Sequence, residues 1–404
     1  MKTAVKIQLA TMMFLEFFIW GAWYVTMGTY LTQAFKASGT ALAQAYETQS
    51  IGALIAPFII GLIADRYFAA QKVLGILHLF GGALLLLAGR QGQFSDFYPF
   101  ILCYMILFMP TLALVNAVAF RQMKDPSKEF ASIRTLGTLG WIVAGFVIGS
   151  MGWEQTLSLE KTFFMAGIAS CCLGLFSFSL PNTSPHKDKN EKINLKAILG
   201  LEALALLKDR SYLLFFVTSI LLCIPLAFYY QHANQFLNEL GMEAAASKMA
   251  LGQFSELLFL LLLPYVLKRF GFKTTLIIGL LGWGIRYLLF AFGSLETSSW
   301  MLFLGIVLHG ICYDFFFVSG QIYTDAKAGK KYRSAAQGLI TLATYGVGMM
   351  IGFRVAGTLI DFYQLSAGHN WQQIWLKPSI FAFTVLILFL ITFKNQPLNK
   401  KQYE

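Results

Sequence analysis

The chain has 404 residues, 57% of them hydrophobic and 13% charged, with mean hydropathy +0.62 and a formal net charge of +11. A soluble domain carries about 25% charged residues, so this composition excludes a soluble protein and leaves an integral membrane protein. In that setting the positive balance reads as topology and contact with anionic lipid headgroups, not as nucleic-acid binding.

Apolar runs of about 20 residues, each long enough to cross about 30 Å of hydrocarbon as a helix, recur along the chain. They predict twelve spans, at 7–34, 45–64, 73–89, 97–120, 133–152, 162–180, 212–237, 244–266, 274–293, 299–322, 334–359 and 375–393. The first is too long for a cleaved signal peptide and carries Glu16. It also holds Trp20 and Trp23. Between spans 2 and 3 lies GLIADRY, residues 61–67, and span 4 supplies Asn116 after a break expected at Pro110. Span 5 begins IRTLGTLGW, residues 133–141, where Arg134, Thr138 and Trp141 at i, i+4 and i+7 line one helix face.

The longest polar interruption is PNTSPHKDKNEKINLK, residues 181–196, followed by an amphipathic stretch to Arg210. It predicts an N-terminal six-helix half over 1–180, a cytoplasmic linker over 181–211 and a C-terminal six-helix half over 212–404. Span 7 carries Tyr230, Gln231, His232 and Asn234, and span 8 carries Gln253 and Glu256 at i and i+3 on one face. Arg286 falls in span 9. Span 10 has His309 and Tyr313 on a shared face followed by Asp314, and span 11 has Arg354.

Basic residues accumulate on the cytoplasmic side of membrane proteins. With both termini inside, inward loops and tails hold 23 of the 31 basic residues and outward loops hold five. An even number of spans with cytoplasmic termini follows. Glu16, Arg134, Glu256, Arg286, Asp314 and Arg354 lie within spans, where each costs several kcal/mol unless it is paired or faces water. Three acids and three bases leave two readings: mutual structural pairing, or a polar transport site. Cys103, Cys171, Cys172, Cys223 and Cys312 all lie in apolar spans without metal-ligand or disulfide spacing and read as packing residues. No phosphate-binding, dinucleotide-binding or nucleophile motif is present, so neither an enzyme nor a cofactor or metal is expected.

Two six-span halves joined by a basic linker resemble the major facilitator superfamily. GLIADRY is similar to the first half of that superfamily's loop motif. The resemblance implies a conformational latch in which Gly61 allows close helix approach and Asp65 with Arg66 holds a neighbouring helix. A closer resemblance rests on WGAWYVTMGTYL (20–31), MPTLALVNAVAF (109–120), IRTLGTLGW (133–141), GQFSELLFLLLLPYVLKRFG (252–271) and YDFFFVSG (313–320). These blocks, in this order, look like the bacterial nucleoside permeases of the nucleoside:H⁺ symporter family.

That resemblance implies an all-α, twelve-helix transporter of the bacterial inner membrane, importing nucleosides with protons by alternating access and acting as a monomer. It assigns Arg134, Thr138, Gln253 and Glu256 to the substrate cavity and Asp314 to an acidic position tied to transport. Gln253 and Glu256 suit ribose hydroxyls, Trp141 and Tyr313 suit stacking on a base, and Arg134 either binds substrate or pairs with an acid. Asn116, His309, Tyr230, Gln231, Trp20 and Arg354 complete the expected substrate contacts. Glu256, Asp314 and Glu16 are the expected proton carriers, Glu16 standing where the family has an amide. Departures at Ala227, Tyr230, His309 and Arg354 keep a second reading open: a transporter of the same fold for another polar or anionic solute, such as a sugar, a peptidoglycan fragment or a metabolite.

Overall fold

The computed structural model describes residues 2–64, 67–123, 126–185 and 199–394. Residues 186–198 of the expected linker, and Asp65 and Arg66 of the expected latch, lie outside them; Gly61 opens a π-helical turn at Ile60–Ala64. The regular structure described is helical. In chain order the helices are α1 (Thr3–Gly21), α2 (Met27–Phe35), α3 (Gly39–Ile59), α4 (Ala70–Ala88), α5 (Phe94–Gln122), α6 (Pro126–Ser150) and α7 (Glu160–Ser177), then α8 (Arg210–Glu239), α9 (Ala245–Phe292), α10 (Ser299–Val307), α11 (His309–Cys312), α12 (Ser319–Thr341), α13 (Met349–Phe362) and α14 (Trp371–Thr392).

By length and composition, nine helical segments among the described residues can cross a membrane. The difference from twelve runs has local causes. The two runs expected at 244–266 and 274–293 lie end to end within α9, whose 48 residues break into two helices at Gly271, with φ 75° and ψ 172°. Helix α3 carries Glu47, Thr48, Gln49 and Ser50 in its middle, all buried. Helix α7, 18 residues long, opens on Glu160 and Lys161, which lower its mean hydropathy. The first expected run breaks after Gly21 into turns over 22–26 and resumes as α2.

The chain divides into two compact units, one of Met1–Ile193 with Tyr230–Ala250, the other of Asn194–Tyr229 with Leu251–Glu404. Within the first, small residues let helices meet backbone to backbone. Gly75 and Gly82 on α4 face Gly174 and Gly167 on α7; a Cβ on Gly82 would sit 2.8 Å from the Gly167 carbonyl oxygen. On α6, a Cβ at Gly140 would lie 2.1 Å from the Phe14 carbonyl oxygen of α1. This contact seats Trp141 against Trp20, with ring centroids 5.5 Å apart.

In the second unit, Gly310 of α11 lies against the Ser255 backbone of α9, and its amide donates to Ser255 Oγ at 3.0 Å. That close approach aligns Glu256 with His309. Two further π turns follow, at Tyr313–Val318 and Leu342–Gly348. Such turns disrupt regular hydrogen bonding and occur often at functional sites. Trp283 Nε1 donates to the Cys312 carbonyl, at the entrance of the first, at 3.1 Å.

Candidate functional site: polar clusters in the membrane-spanning helices

In the first unit the sequence-predicted residues fall into an aromatic wall and two polar groups. Trp20 packs edge-on against Trp141, Phe108 and Tyr24, and Tyr24 packs against Tyr230 at 5.6 Å. Tyr46 donates to the Tyr24 carbonyl at 2.9 Å and accepts from the Gly28 amide at 3.1 Å, while the Tyr24 hydroxyl donates to Gln49. The wall is thereby fixed by hydrogen bonds behind its rings. Arg134 lies with its guanidinium 4.0 Å from the centroid of the Phe17 ring, half-buried, a cation–π placement that suits a group near an aqueous opening. Thr138 is 8% exposed, one turn along the same face. Asn116 has a buried Oδ1 without a hydrogen-bond partner among the described residues, so a polar acceptor is available there. Gln231 is buried, and its carbonyl packs on Gly28.

Glu16 is joined to His78 and Thr111, and through His78 to Ser170, none of which was singled out from the sequence. Another acid escaped notice because it stands in a turn after an apolar run. Glu154 is 2% exposed and accepts from Asn234 Nδ2 at 2.8 Å, Asn238 Nδ2 at 2.9 Å and the Ala246 amide at 3.1 Å. It thus satisfies an otherwise orphaned amide in the first turn of α9, where the helix dipole also favours negative charge. Thr29 donates to Asn234 Oδ1 at 2.5 Å, completing the network. An open polar hollow of about 340 Å³ adjoins it, lined by residues that include Lys36, Glu154, Asn238 and Glu243. Glu154→Ala removes the shared acceptor; Asn238 Nδ2 keeps the Asn234 carbonyl at 2.9 Å, while the Ala246 amide loses its carboxylate and Asn234 Nδ2 keeps only a weak contact to Met249 Sδ, and a loss of about 1–3 kcal/mol per buried group left unsatisfied is expected. A clear drop in the melting temperature of the detergent-purified variant is the expected result; an unchanged one counts against this account.

In the second unit, His309 is the hub. Its ring stacks between Tyr229, centroid 5.2 Å away, and Tyr313, 5.9 Å away. Arg286, fully buried, donates from Nη1 to His309 Nδ1 at 3.0 Å and lies 3.7 Å from the centroid of the Tyr229 ring. The donated bond requires an unprotonated Nδ1, so the ring hydrogen is on Nε2, which faces Glu256 Oε2 at 3.8 Å. Of the charges found within the expected spans, Arg286 is therefore tied to a histidine. The spacing of Arg286 and His309 carries no hint of this.

Gln253 is 7% exposed, and the Glu256 carboxylate retains 18% of its side-chain exposure. Tyr313 and Tyr345, from the two π turns, share a hydrogen bond at 3.0 Å. Asp314 is fully buried, and neither carboxylate oxygen has a hydrogen-bond partner among the described residues. Burying an unpaired carboxylate is costly, which makes it a candidate for binding and losing a proton. Arg354 lies on an exposed face of α13 with Ile351 and Val355.

Comparison with known proteins places these clusters in context. A family model described as Nucleoside H+ symporter matches residues 1–397. The chain is 40% identical to a putative nucleoside transporter of Escherichia coli, YegT, over 98% of this chain and 95% of that protein. It is 30% identical to the xanthosine permease of the same organism, over 97% of this chain and 96% of the permease. The crystal structure of the nucleoside transporter NupG superposes with a TM-score of 0.87 at 29% identity, covering 97% of this chain and all of that one. A peptide transporter of the POT type shares the fold at a TM-score of 0.75 and 12% identity, over 96% of this chain and 93% of that one.

Proposed function

Because this chain belongs to the nucleoside H⁺ symporter family, we propose that it carries nucleosides into the cell together with protons, by alternating access. Twelve crossings in two six-helix halves underlie this reading: α9 counts twice across Gly271, and α3 and α7 join the nine apolar segments. The excess of basic residues in the even-numbered loops supports cytoplasmic termini in an inner membrane. A monomer is the expected working form.

The observation that carries the proposal is the partly exposed Glu256 carboxylate, set 3.8 Å from a histidine whose tautomer Arg286 fixes. It combines an acceptor for sugar hydroxyls with a group able to hold a proton, in the middle of apolar helices. Trp20, Asn116, Arg134, Thr138, Trp141, Tyr230 and Gln231 are the proposed substrate contacts of the first unit. Gln253, Glu256, His309, Tyr313 and Arg354 are those of the second. Aromatic rings suit the flat base, and the amides and carboxylate suit the ribose. Glu256, Asp314 and Glu16 are the proposed proton carriers. Gly61, Asp65 and Arg66 are the proposed latch, and the hollow beside Glu154 is a polar vestibule on the outer face.

Uptake of labelled uridine and adenosine into proteoliposomes tests this. Accumulation that requires an inward proton gradient, collapses with a protonophore and is blocked by other unlabelled nucleosides is expected. Folded protein that takes up neither nucleoside, or does so equally without the gradient, would rule the proposal out.

A further inference from the structure

Four helices of the first unit bring four polar side chains into one buried cluster. Glu16 comes from α1, His78 from α4, Thr111 from α5 and Ser170 from α7, and none exceeds 1% exposure. His78 Nε2 lies 2.8 Å from Glu16 Oε2, and Nδ1 lies 3.0 Å from Ser170 Oγ. The Ser170 hydroxyl is also 2.9 Å from the His78 carbonyl, and Thr111 Oγ1 is 2.6 Å from Glu16 Oε1.

The protons in this cluster can be counted. A carbonyl only accepts, so the single Ser170 proton is donated to the His78 carbonyl. The contact between Ser170 Oγ and Nδ1 then requires a hydrogen on Nδ1. A neutral imidazole with that hydrogen has a bare Nε2, and a bare nitrogen does not sit 2.8 Å from a bare carboxylate oxygen. One further proton therefore lies between them, on Nε2 as an imidazolium–carboxylate pair or on Oε2 as a neutral acid against a neutral ring. With the one Thr111 hydrogen donated to Glu16 Oε1 rather than to the Phe108 carbonyl 2.5 Å away, both forms of the pair have zero net charge, which suits deep burial.

We propose that Glu16 and His78 together form a proton-binding site of the first unit, distinct from Glu256 and Asp314 in the second. The assignment of this site to transport rests on the function proposed above, whereas the proton count rests on the geometry alone. Loss of the shared proton turns a hydrogen bond into a repulsive contact between two lone pairs. Deprotonation thus drives α1 and α4 apart at this point, and reprotonation draws them together. Helix α1 also carries Trp20, four residues after Glu16, so the state of the pair reaches the aromatic wall by one helical turn.

Of the other titratable or charged groups on the packed helices, Lys6, Lys72, Asp96, Arg121, Glu129, Glu160 and Lys161 stand near helix ends, and three lie closer to the pair. Tyr104 of α5 lies within electrostatic reach of Glu16. Arg134 of α6 sits over the ring of Phe17, the residue after Glu16. Cys171 of α7 meets Gly82, one turn along α4 from His78. None offers a competing carboxylate or a direct hydrogen bond to the pair.

The test is a nitrogen-15 NMR titration of histidine-labelled protein in lipid bilayers, with the His78 signals assigned by their loss in His78→Asn. In the wild type, Nδ1 is expected to stay protonated while the Nε2 signal moves in one step as the pH is raised through the accessible range, because Nε2 loses either its own hydrogen or the one it accepts from Oε2. Glu16→Gln is expected to displace that step and to lower the ratio of protons to nucleoside obtained from reversal potentials. A His78 signal constant across the range, or one with the same midpoint in Glu16→Gln together with an unchanged ratio, overturns the proposal. Should Glu16→Gln fail to fold, the wild-type titration decides by itself. The titration needs no substrate, so a protein that titrates as expected but moves no nucleoside defeats the transport reading and leaves the proton site standing.

Discussion

Glu256→Gln is expected to reduce gradient-driven nucleoside accumulation to background while substrate exchange is retained in part. Glutamine keeps the shape of the side chain and one carbonyl acceptor, so sugar hydroxyls still find a partner. It cannot take up a proton, and the coupling between the gradient and the substrate is removed with it. The neighbours sharpen the expectation. Arg286 fixes the His309 ring with its Nε2 hydrogen toward Glu256, and the amide of glutamine meets that hydrogen equally well through its oxygen. The lesion is therefore confined to protonation. Side-by-side measurement of accumulation and exchange in proteoliposomes separates the two effects, and accumulation at wild-type levels would remove Glu256 from proton coupling.

The largest structural effect is expected at Gly140. A methyl group there would fall 2.1 Å from the Phe14 carbonyl oxygen and 3.0 Å from the Phe18 nitrogen, and both belong to helix backbone that has no rotamer to change. Gly140→Ala must therefore push α1 away from α6. Overpacking of this kind typically costs about 1–3 kcal/mol and more when backbone has to shift, and α1 carries Glu16 and Trp20 while α6 carries Arg134, Thr138 and Trp141. A marked fall in the yield of monodisperse protein, together with a lower melting temperature in what survives, is the expected result on size-exclusion chromatography and thermal melting. A variant that melts with the wild type would show that the two helices do not meet in this way.

The helical class, the apolar runs and the family were legible from composition, run length and short ordered blocks of sequence. These depend on residues close together in the chain. The partnerships among the functional groups were not legible, because each joins distant segments. Glu16 stood out as a charge in an apolar run, yet its partner His78 is 62 positions away, on a helix where a lone histidine gives no signal. Glu154 follows an apolar run, and Asn234, Asn238 and the start of α9, which converge on it, are about 80 or more positions away. The same limit applies to the breaks in the helices. Nothing in the hydropathy of residues 7–34 marks the turn after Gly21, and the gap between the runs at 244–266 and 274–293 gives no sign that the two helices join at a single glycine with positive φ.

The π turn at Tyr313–Val318 sets a rotational phase. An α-helix advances about 100° per residue, and a π turn absorbs an extra residue within almost the same length. Above the turn, Tyr313 is aligned with His309 and Tyr345; below it, Tyr323 is buried against Tyr212 and Phe215. Deleting that surplus residue would return the turn to α geometry with its flanks nearly in phase, whereas deleting one residue from the α-helix just beyond it would shorten the rod by about 1.5 Å and turn everything further along by about 100°. Tyr323 and Lys327 would then point elsewhere while Tyr313 and Asp314 kept their places. Two sets of side chains on one rod are thus held in phase across the turn, and a deletion between Ser319 and Gln321 should be far less tolerated than one within the turn itself.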